Sequence, residues 1–196
     1  MKNIIKPTLV LLVICVIAST VLAFLYQKTA PIIAENNKIA ERDARKVVLP
    51  EATKFLAVDG QGRTEVEKDF SEKNIKYYEG FSDDKLVGYI FKCGEKGYSS
   101  YVKTIVGIAN DKDFTITGIK IVSQQETPGL GANCVTPGFA AKFKGKNPAT
   151  IYVNKDGGDI VAITGATITT RTVTNSIRDE FDLLKKDFKD NQEGAK

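Results

Sequence analysis

The sequence predicts an α+β protein: one N-terminal transmembrane helix carrying a single domain in which an antiparallel sheet is flanked by helices. Three patterns lead to that prediction. The 21 residues between Lys6 and Lys28 carry no charge. Runs rich in Val, Ile, Tyr and Phe then follow one another between Ile75 and Val122, separated by polar or glycine-containing breaks. Near the C-terminus Val173, Ile177, Phe181 and Leu184 recur at helical spacing. A chain of 196 residues suits one domain of ordinary size plus an appendage.

Charge and composition exclude several functions. Lys and Arg number 28 against 24 Asp and Glu, a net charge of +4. Residues 1–26 hold two lysines and no acid, so the remainder is at +2 (26 against 24), too weak and too evenly mixed for a nucleic-acid surface. Histidine is absent. That removes the usual neutral-pH general base and the commonest metal ligand, which excludes His-dependent triad hydrolysis and His-ligated zinc.

At about 1.5 Å per residue the uncharged stretch reaches about 31 Å, the thickness of a bilayer core. Residues 8–27 therefore read as one transmembrane helix preceded by a short segment, 1–7. A cleaved signal peptide is the alternative, but the apolar stretch is longer than usual, Val21-Leu22-Ala23 is a weak cleavage site, and Pro31 directly follows Ala30. Val13-Ile14 before Cys15 lacks the small residue of a lipoprotein signal. Lys2, Lys6 and the free amino terminus favour an N-terminus left in the cytoplasm, with the domain on the outer side of the plasma (inner) membrane.

Between residues 28 and 50 the apolar positions Ile32, Ile33, Ile39, Ala40, Ala44, Val47 and Val48 predict a juxtamembrane helix that continues the span and ends at Pro50. The domain proper is expected over 51–190. Residues 51–72, with Gly60-Gln61-Gly62, read as loop, short strand and turn. Strands are then expected over 75–81, 86–93, 98–109 and 114–122, as an antiparallel meander. Gly97-Tyr98-Ser99 stands at the entrance to the third, where a turn with an aromatic anchor is the plain reading. Of the three cysteines, Cys15 lies in the span, while Cys93 and Cys134 either pair or remain two buried thiols. Their spacing is not that of iron–sulfur ligands.

After the fourth strand comes Gln125-Glu126-Thr127-Pro128-Gly129-Leu130-Gly131. Pro128 fixes one backbone angle, and Gly129 and Gly131 allow positive φ or close approach, so a flat ring could lie on this backbone with Leu130 against its face. Residues 137–143 read as a short helix packing Phe139 and Phe143 inward, leaving Lys142 or Lys144 for an anion.

Ile160, Val161, Ala162 and Ile163 form a short apolar run ending in Thr164-Gly165-Ala166-Thr167-Ile168-Thr169-Thr170, and a helix is expected from about 170 to 188. Four threonines thus crowd a helix N-terminus. Free N–H groups and the positive end of the helix dipole favour an anion there, the dipole alone contributing roughly 0.3–1 kcal/mol. A simple cap by Thr169 or Thr170 is the competing explanation. The tail, 191–196, is expected to fray.

Two of these motifs together resemble a known family. Thr164-Gly165-Ala166-Thr167 followed by further Thr is similar to the flavinylation signature of the covalent-FMN domains of membrane redox complexes, and the 126–131 segment resembles their Glu-Thr-Pro-Gly-Leu-Gly loop. With one membrane helix ahead of both, the chain is identified as a member of the family of G subunits of the Rnf complex (RnfG), related to the C subunit of the sodium-pumping NADH:quinone reductase (NqrC). Gln124 stands where many members carry a histidine, and Asp159 lies farther from the signature than their acid does.

The resemblance implies that FMN is joined through its phosphate to the Thr167 hydroxyl by a separate flavin transferase, with Thr164, Gly165, Ala166, Ile168, Thr169 and Thr170 around the phosphate. It implies further contacts from Glu126, Thr127, Pro128, Gly129, Leu130, Gly131, Tyr98 or Ser99, and leaves Lys142 available. The implied function is electron relay in a complex of membrane and iron–sulfur subunits that couples electron transfer between ferredoxin and NAD+ to movement of sodium ions or protons. An NqrC-like subunit, or a non-redox domain binding a small ligand outside the cell with the threonine turn a mere cap, are the alternatives.

Overall fold

The computed structural model describes residues 2–59, 62–64 and 75–194. The expected loop and turn over 60–61 and 65–72, and the last two residues of the tail, lie outside them. The chain divides into two compact units, Met1–Ile39 and Ala40–Lys196. The first consists of most of helix α1 (Lys2–Val48), which is apolar and long enough to cross a membrane. Its large aliphatic side chains, Leu9, Leu12, Ile17 and Leu22 among them, are exposed. A row of that kind is stable only in an apolar solvent, which makes the segment a membrane anchor. α1 runs through Pro31 and stops at Val48, the Leu49 N–H still reaching the Arg45 carbonyl at 3.1 Å. Pro50 disfavours helical backbone at the residue before it and ends the helix there.

The second unit is built on a six-stranded antiparallel sheet in the order β2-β1-β3-β4-β5-β6. Its strands are β1 (Lys54–Asp59), β2 (Gly62–Thr64), β3 (Ile75–Ser82), β4 (Lys85–Lys96), β5 (Tyr101–Ala109) and β6 (Ile116–Ser123). The four expected strands are present as β3 to β6, and β1 extends them by pairing with β3, Ala57 opposite Tyr78. The third expected strand begins three residues later than the sequence suggests, at Tyr101, because 97–100 folds into a turn. The fourth begins at Ile116 because Asp111 accepts the N–H groups of Asp113 and Thr115, and Phe114 adopts φ 51° in that turn while its ring enters the core.

Alternation along β4 divides the core in two. Tyr89, Phe91 and Cys93 face one layer, and Ile90 faces the other. On the first face lies helix α3 (Thr167–Gly194), which sets Val173, Ile177, Phe181, Leu184 and Phe188 onto the sheet. The Phe188 ring stacks on Tyr89 at 4.6 Å and meets Tyr77 edge-on at 4.9 Å. α3 continues to Gly194, past Asn191 where fraying was expected.

Residues 40–49 cover the other face, packing Ala44, Val48 and Leu49 on Ala57, Tyr78, Ile90 and Ile105. A glycine on each of β3 to β6 makes room for this segment, Gly80 and Gly88 for the Leu49 side chain and Gly107 and Gly118 for the Val48 backbone. A Cβ on Gly107 would lie 2.4 Å from the Val48 carbonyl oxygen. Lys92 pairs with Glu41 and the Arg45 guanidinium lies 4.4 Å over the Tyr78 ring, so charged groups sit beside the apolar contact.

The connection from β6 to α3 carries a 3-10 turn, Gly131–Val135, and the single-turn helix α2 (Pro137–Ala140). α2 is shorter than the helix expected over 137–143, but Phe139 and Phe143 are both buried as expected, their rings 5.3 Å apart. Cys93 and Cys134 are both buried free thiols, not a disulfide.

Candidate functional site

Three segments far apart in sequence meet beside the N-terminus of α3. The first is the apolar run ending at Ile163 and the turn that follows it. Gly165 takes φ 74°, a left-handed angle that a residue with a Cβ rarely adopts, and the turn closes with the Ala166 N–H on the Ile163 carbonyl at 2.9 Å. α3 therefore begins at Thr167, three residues before the start read from the sequence. Thr170 explains the difference. Its hydroxyl accepts the Ile163 N–H at 3.1 Å and donates to the Ala166 carbonyl at 3.0 Å, so it braces the turn from within the helix instead of capping it from outside.

An early start leaves the N–H groups of Thr167, Ile168 and Thr169 in the first turn, with no intrahelical acceptor and no other partner among the described residues. The four threonines now separate by role. Thr164 is exposed, Thr169 and Thr170 are buried and hydrogen-bonded, and Thr167 is half-buried with its hydroxyl bound to nothing among the described residues.

The second segment is the loop of 124–131, and the third is the turn of 97–100. They are joined by Glu126, a buried residue whose carboxylate accepts five hydrogen bonds. Oε1 accepts the N–H groups of Ser99 and Ser100, both at 2.9 Å, and the Ser100 hydroxyl at 3.2 Å. Oε2 accepts the Tyr98 N–H at 3.2 Å and the Thr169 hydroxyl at 2.6 Å. Burial on its own would raise this carboxyl's pKa. The hydrogen bonds from Thr169 and from the Ser100, Ser99 and Tyr98 N–H groups outweigh it and hold the pKa below the usual value.

These segments enclose a cleft of about 550 Å³ lined by Tyr98, by Glu126, Thr127, Leu130 and Gly131, and by residues 165–169. That volume is in the range of small-molecule sites. Tyr98 (70% exposed), Ile168 (50%) and Leu130 (42%) present apolar surface around it, while the open N–H groups and the Thr167 hydroxyl provide its polar end. No Lys or Arg is among the lining residues.

Ten of the candidate residues named from the sequence thus share one cleft. The others stand apart. Ser99 contributes its N–H to Glu126 but does not line the cleft, Pro128, Gly129 and Thr164 are exposed outside it, and Thr170 is buried within the first turn of the helix. Lys142 gives its ammonium to the Val161 carbonyl at 2.8 Å, which steadies the run before Thr164 and takes this charge away from the cleft.

Several supporting residues carried no sequence signal. Ser100 accepts the Gln125 N–H at 2.7 Å, and Thr172 donates to the Lys96 carbonyl at 3.1 Å, tying the turn and the helix to their surroundings. Arg171 grips Asp156 through two bonds of 2.7 and 2.6 Å, and hydrogen bonding to Arg171 holds the Asp156 carboxyl below its usual range. Helical spacing places Arg171 above Thr167, which could be read from sequence, but its pairing with Asp156 could not.

Comparison with known proteins covers the same region. The FMN-binding domain family matches residues 97–181, from the tyrosine turn through the first half of α3. The G subunit of an ion-translocating oxidoreductase complex of Methanosarcina acetivorans is 32% identical over 93% of this chain and 95% of its own length. The G subunit of the Na(+)-translocating ferredoxin:NAD(+) oxidoreductase complex of Acetobacterium woodii is 36% identical over 90% of this chain and 89% of its own.

Among solved structures, NqrC of Shewanella oneidensis superposes with a TM-score of 0.56 at 19% identity, covering 80% of this chain and 99% of that one. The C subunit of the Na(+)-translocating NADH-quinone reductase of Parabacteroides distasonis gives a TM-score of 0.57 at 23% identity, covering 83% and 95%. At these identities the likeness is one of fold.

Proposed function

Because the chain belongs to the family of G subunits of ion-translocating oxidoreductase complexes, we propose that it is the membrane-anchored flavoprotein of such a complex and carries FMN covalently on Thr167. In this reading it relays electrons in an assembly that couples electron transfer between ferredoxin and NAD+ to movement of Na+ or H+. The observation that carries the reading is the free Thr167 hydroxyl, set in a cleft at a helix N-terminus beside three open N–H groups.

Those groups suit a phosphodiester. Three N–H donors and the helix dipole compensate the single negative charge it keeps. No Lys or Arg is among the lining residues, so the N–H groups and the helix dipole make the contact with the phosphate. A covalent bond retains the flavin where charge does not.

Among the described residues no base is bonded to the Thr167 hydroxyl. The Glu126 carboxylate is occupied by five donors, one of them the neighbouring Thr169. This fits attachment by a separate flavin transferase. The Thr167 Oγ–P bond forms on this chain, and the base that takes the Thr167 proton and the P–O bond that breaks belong to the transferase and its flavin donor. FMN when bound supplies one-electron and two-electron redox chemistry. The chain's residues hold it: Leu130, Tyr98 and Ile168 offer apolar surface to a flat ring, and the 165–169 backbone holds the phosphate.

The positive charges of Lys2 and Lys6 support an N-terminus in the cytoplasm, with the flavin domain on the outer side of the membrane. There a dissociated flavin would be lost by dilution, which favours a covalent link. The match to an FMN-binding family supports the flavin reading over a domain that binds some other small ligand.

Intact mass tests the proposal. The protein co-expressed with a flavin transferase should gain the mass of one FMN and show flavin fluorescence in a denaturing gel. Thr167→Ala should lose both, and Thr167→Ser should keep them. An unmodified wild-type protein under those conditions, or a modified Thr167→Ala protein, refutes the assignment.

A further inference from the structure

The Glu126 carboxylate lies in the wall of the cleft, and its two oxygens accept five hydrogen bonds from the protein itself. It joins three chain segments, accepting from Tyr98, Ser99 and Ser100 on one side and from Thr169 on the other. The loop that carries it closes on itself, since its own N–H donates to the Gln124 side chain at 2.7 Å and the Gln125 N–H donates to Ser100.

The space around the carboxylate is closed by two glycines. A Cβ on Gly97 would lie 2.8 Å from Oε1, and one on Gly131 would lie 2.8 Å from Oε2 and 2.6 Å from the Thr169 hydroxyl oxygen. Any larger residue at either position displaces the carboxylate or its partners. The sequence thus reserves room for one charged group where a flat ligand is to be held.

We propose that Glu126 is a positioning residue and not a ligand: its carboxylate latches the 97–100 turn to the first turn of α3, and it places a fixed negative charge in the wall of the cofactor cleft. The latch sets the distance between the Tyr98 wall and the Leu130 and Ile168 walls. Through Thr169 it also sets the orientation of the helix turn that presents the Thr167 hydroxyl. The charge opposes the arrival of further negative charge in the cleft, so it lowers the reduction potential of a flavin seated there. Glutamine cannot replace it. Its amide NH2 would face an N–H or O–H donor on one side or the other, leaving donor against donor in a buried place. This inference rests on the FMN reading of the cleft.

The test compares full-length wild type, Glu126→Gln and Thr169→Val, each in detergent with a flavin transferase and its flavin donor. The rate of FMN attachment is followed by intact mass, and the midpoint potential of the attached flavin by spectroelectrochemistry. Attachment to Glu126→Gln is expected to slow by about tenfold or more, as for reacting groups held slightly out of place. The flavin it does accept should have a more positive potential than in wild type. Thr169→Val keeps the charge but loses one strand of the latch, so it should slow attachment with a smaller change in potential.

Wild-type attachment rates in both variants, or an unchanged flavin potential in Glu126→Gln, overturn the proposal. If Glu126→Gln fails to fold, Thr169→Val decides, and a wild-type rate in that variant overturns it. A wild-type protein that takes up no FMN instead refutes the functional reading beneath it.

Discussion

The bond from the Thr169 hydroxyl to Glu126 is the member of the latch that can be removed most cleanly. Thr169→Val keeps the shape of the side chain and replaces only the hydroxyl by a methyl. Donor and acceptor are 2.6 Å apart, and their residues are 1% and 5% exposed. A distance that short is typical of a hydroxyl donating to an ionised carboxylate. Hydrogen bonds to charged groups contribute about 1.5–3 kcal/mol net. Four donors remain on Glu126 after the substitution, so the lower half of that range applies, about 1.5–2 kcal/mol. For a domain near 150 residues this lowers the melting temperature by about 3–8 °C.

The loss also depends on pH, and its sign follows from Glu126. Its folded pKa is held below the ordinary 4.5 by hydrogen bonds that outweigh burial. A depressed carboxyl adds stability above its unfolded pKa and loses it as pH falls through the folded value. Thr169→Val raises that folded value, so wild type and variant should differ most near neutrality and converge in acid. Urea denaturation of the detergent-solubilised full chain, followed by circular dichroism from pH 7 to pH 3, measures both effects. A difference under about 0.5 kcal/mol at neutral pH, the size of an ordinary surface substitution, refutes the account of the latch. A difference that persists unchanged into acid refutes the role of the charge.

Other expectations follow from the core. Phe188→Ala removes a fully buried ring in contact with Tyr77 and Tyr89 at 4.9 and 4.6 Å. It should destabilise the domain by about 3–5 kcal/mol, read as a lower urea midpoint at unchanged m-value; a shift below about 1 kcal/mol would mean that the end of α3 contributes little. Burial pushes the Cys93 thiol up to about 12 and the Cys134 thiol, which also feels Glu126, up to about 11. Both should remain protonated and resist alkylation in the native protein at pH 8, then react once urea unfolds it. Rapid native labelling of either, counted by peptide mass, would contradict their placement in the core.

Local pattern carried much of this protein. The uncharged run after Lys6 marks a membrane helix by length and composition alone, because no packing partner is needed to satisfy the backbone of an apolar helix. The apolar run Tyr89, Ile90, Phe91 marks a strand, and because successive side chains point to opposite sides the structure buries it on both faces. The threonine turn and the 126–131 loop were legible as motifs, the positive φ of Gly129 and Gly165 being a local requirement.

Tertiary structure decided what those residues do. Thr170 braces the turn through partners only 4 and 7 residues away, but that Lys142 turns to the Val161 carbonyl, 19 residues on, depends on a partner brought in by the fold. Glu126 shows this most fully. Its donors lie 26 to 28 residues before it and 43 after it, and no period or spacing in a chain encodes which distant N–H groups will converge on a buried carboxylate. Periodicity records which way a side chain points, while the choice of partner is made only when burial forces every polar group to find one.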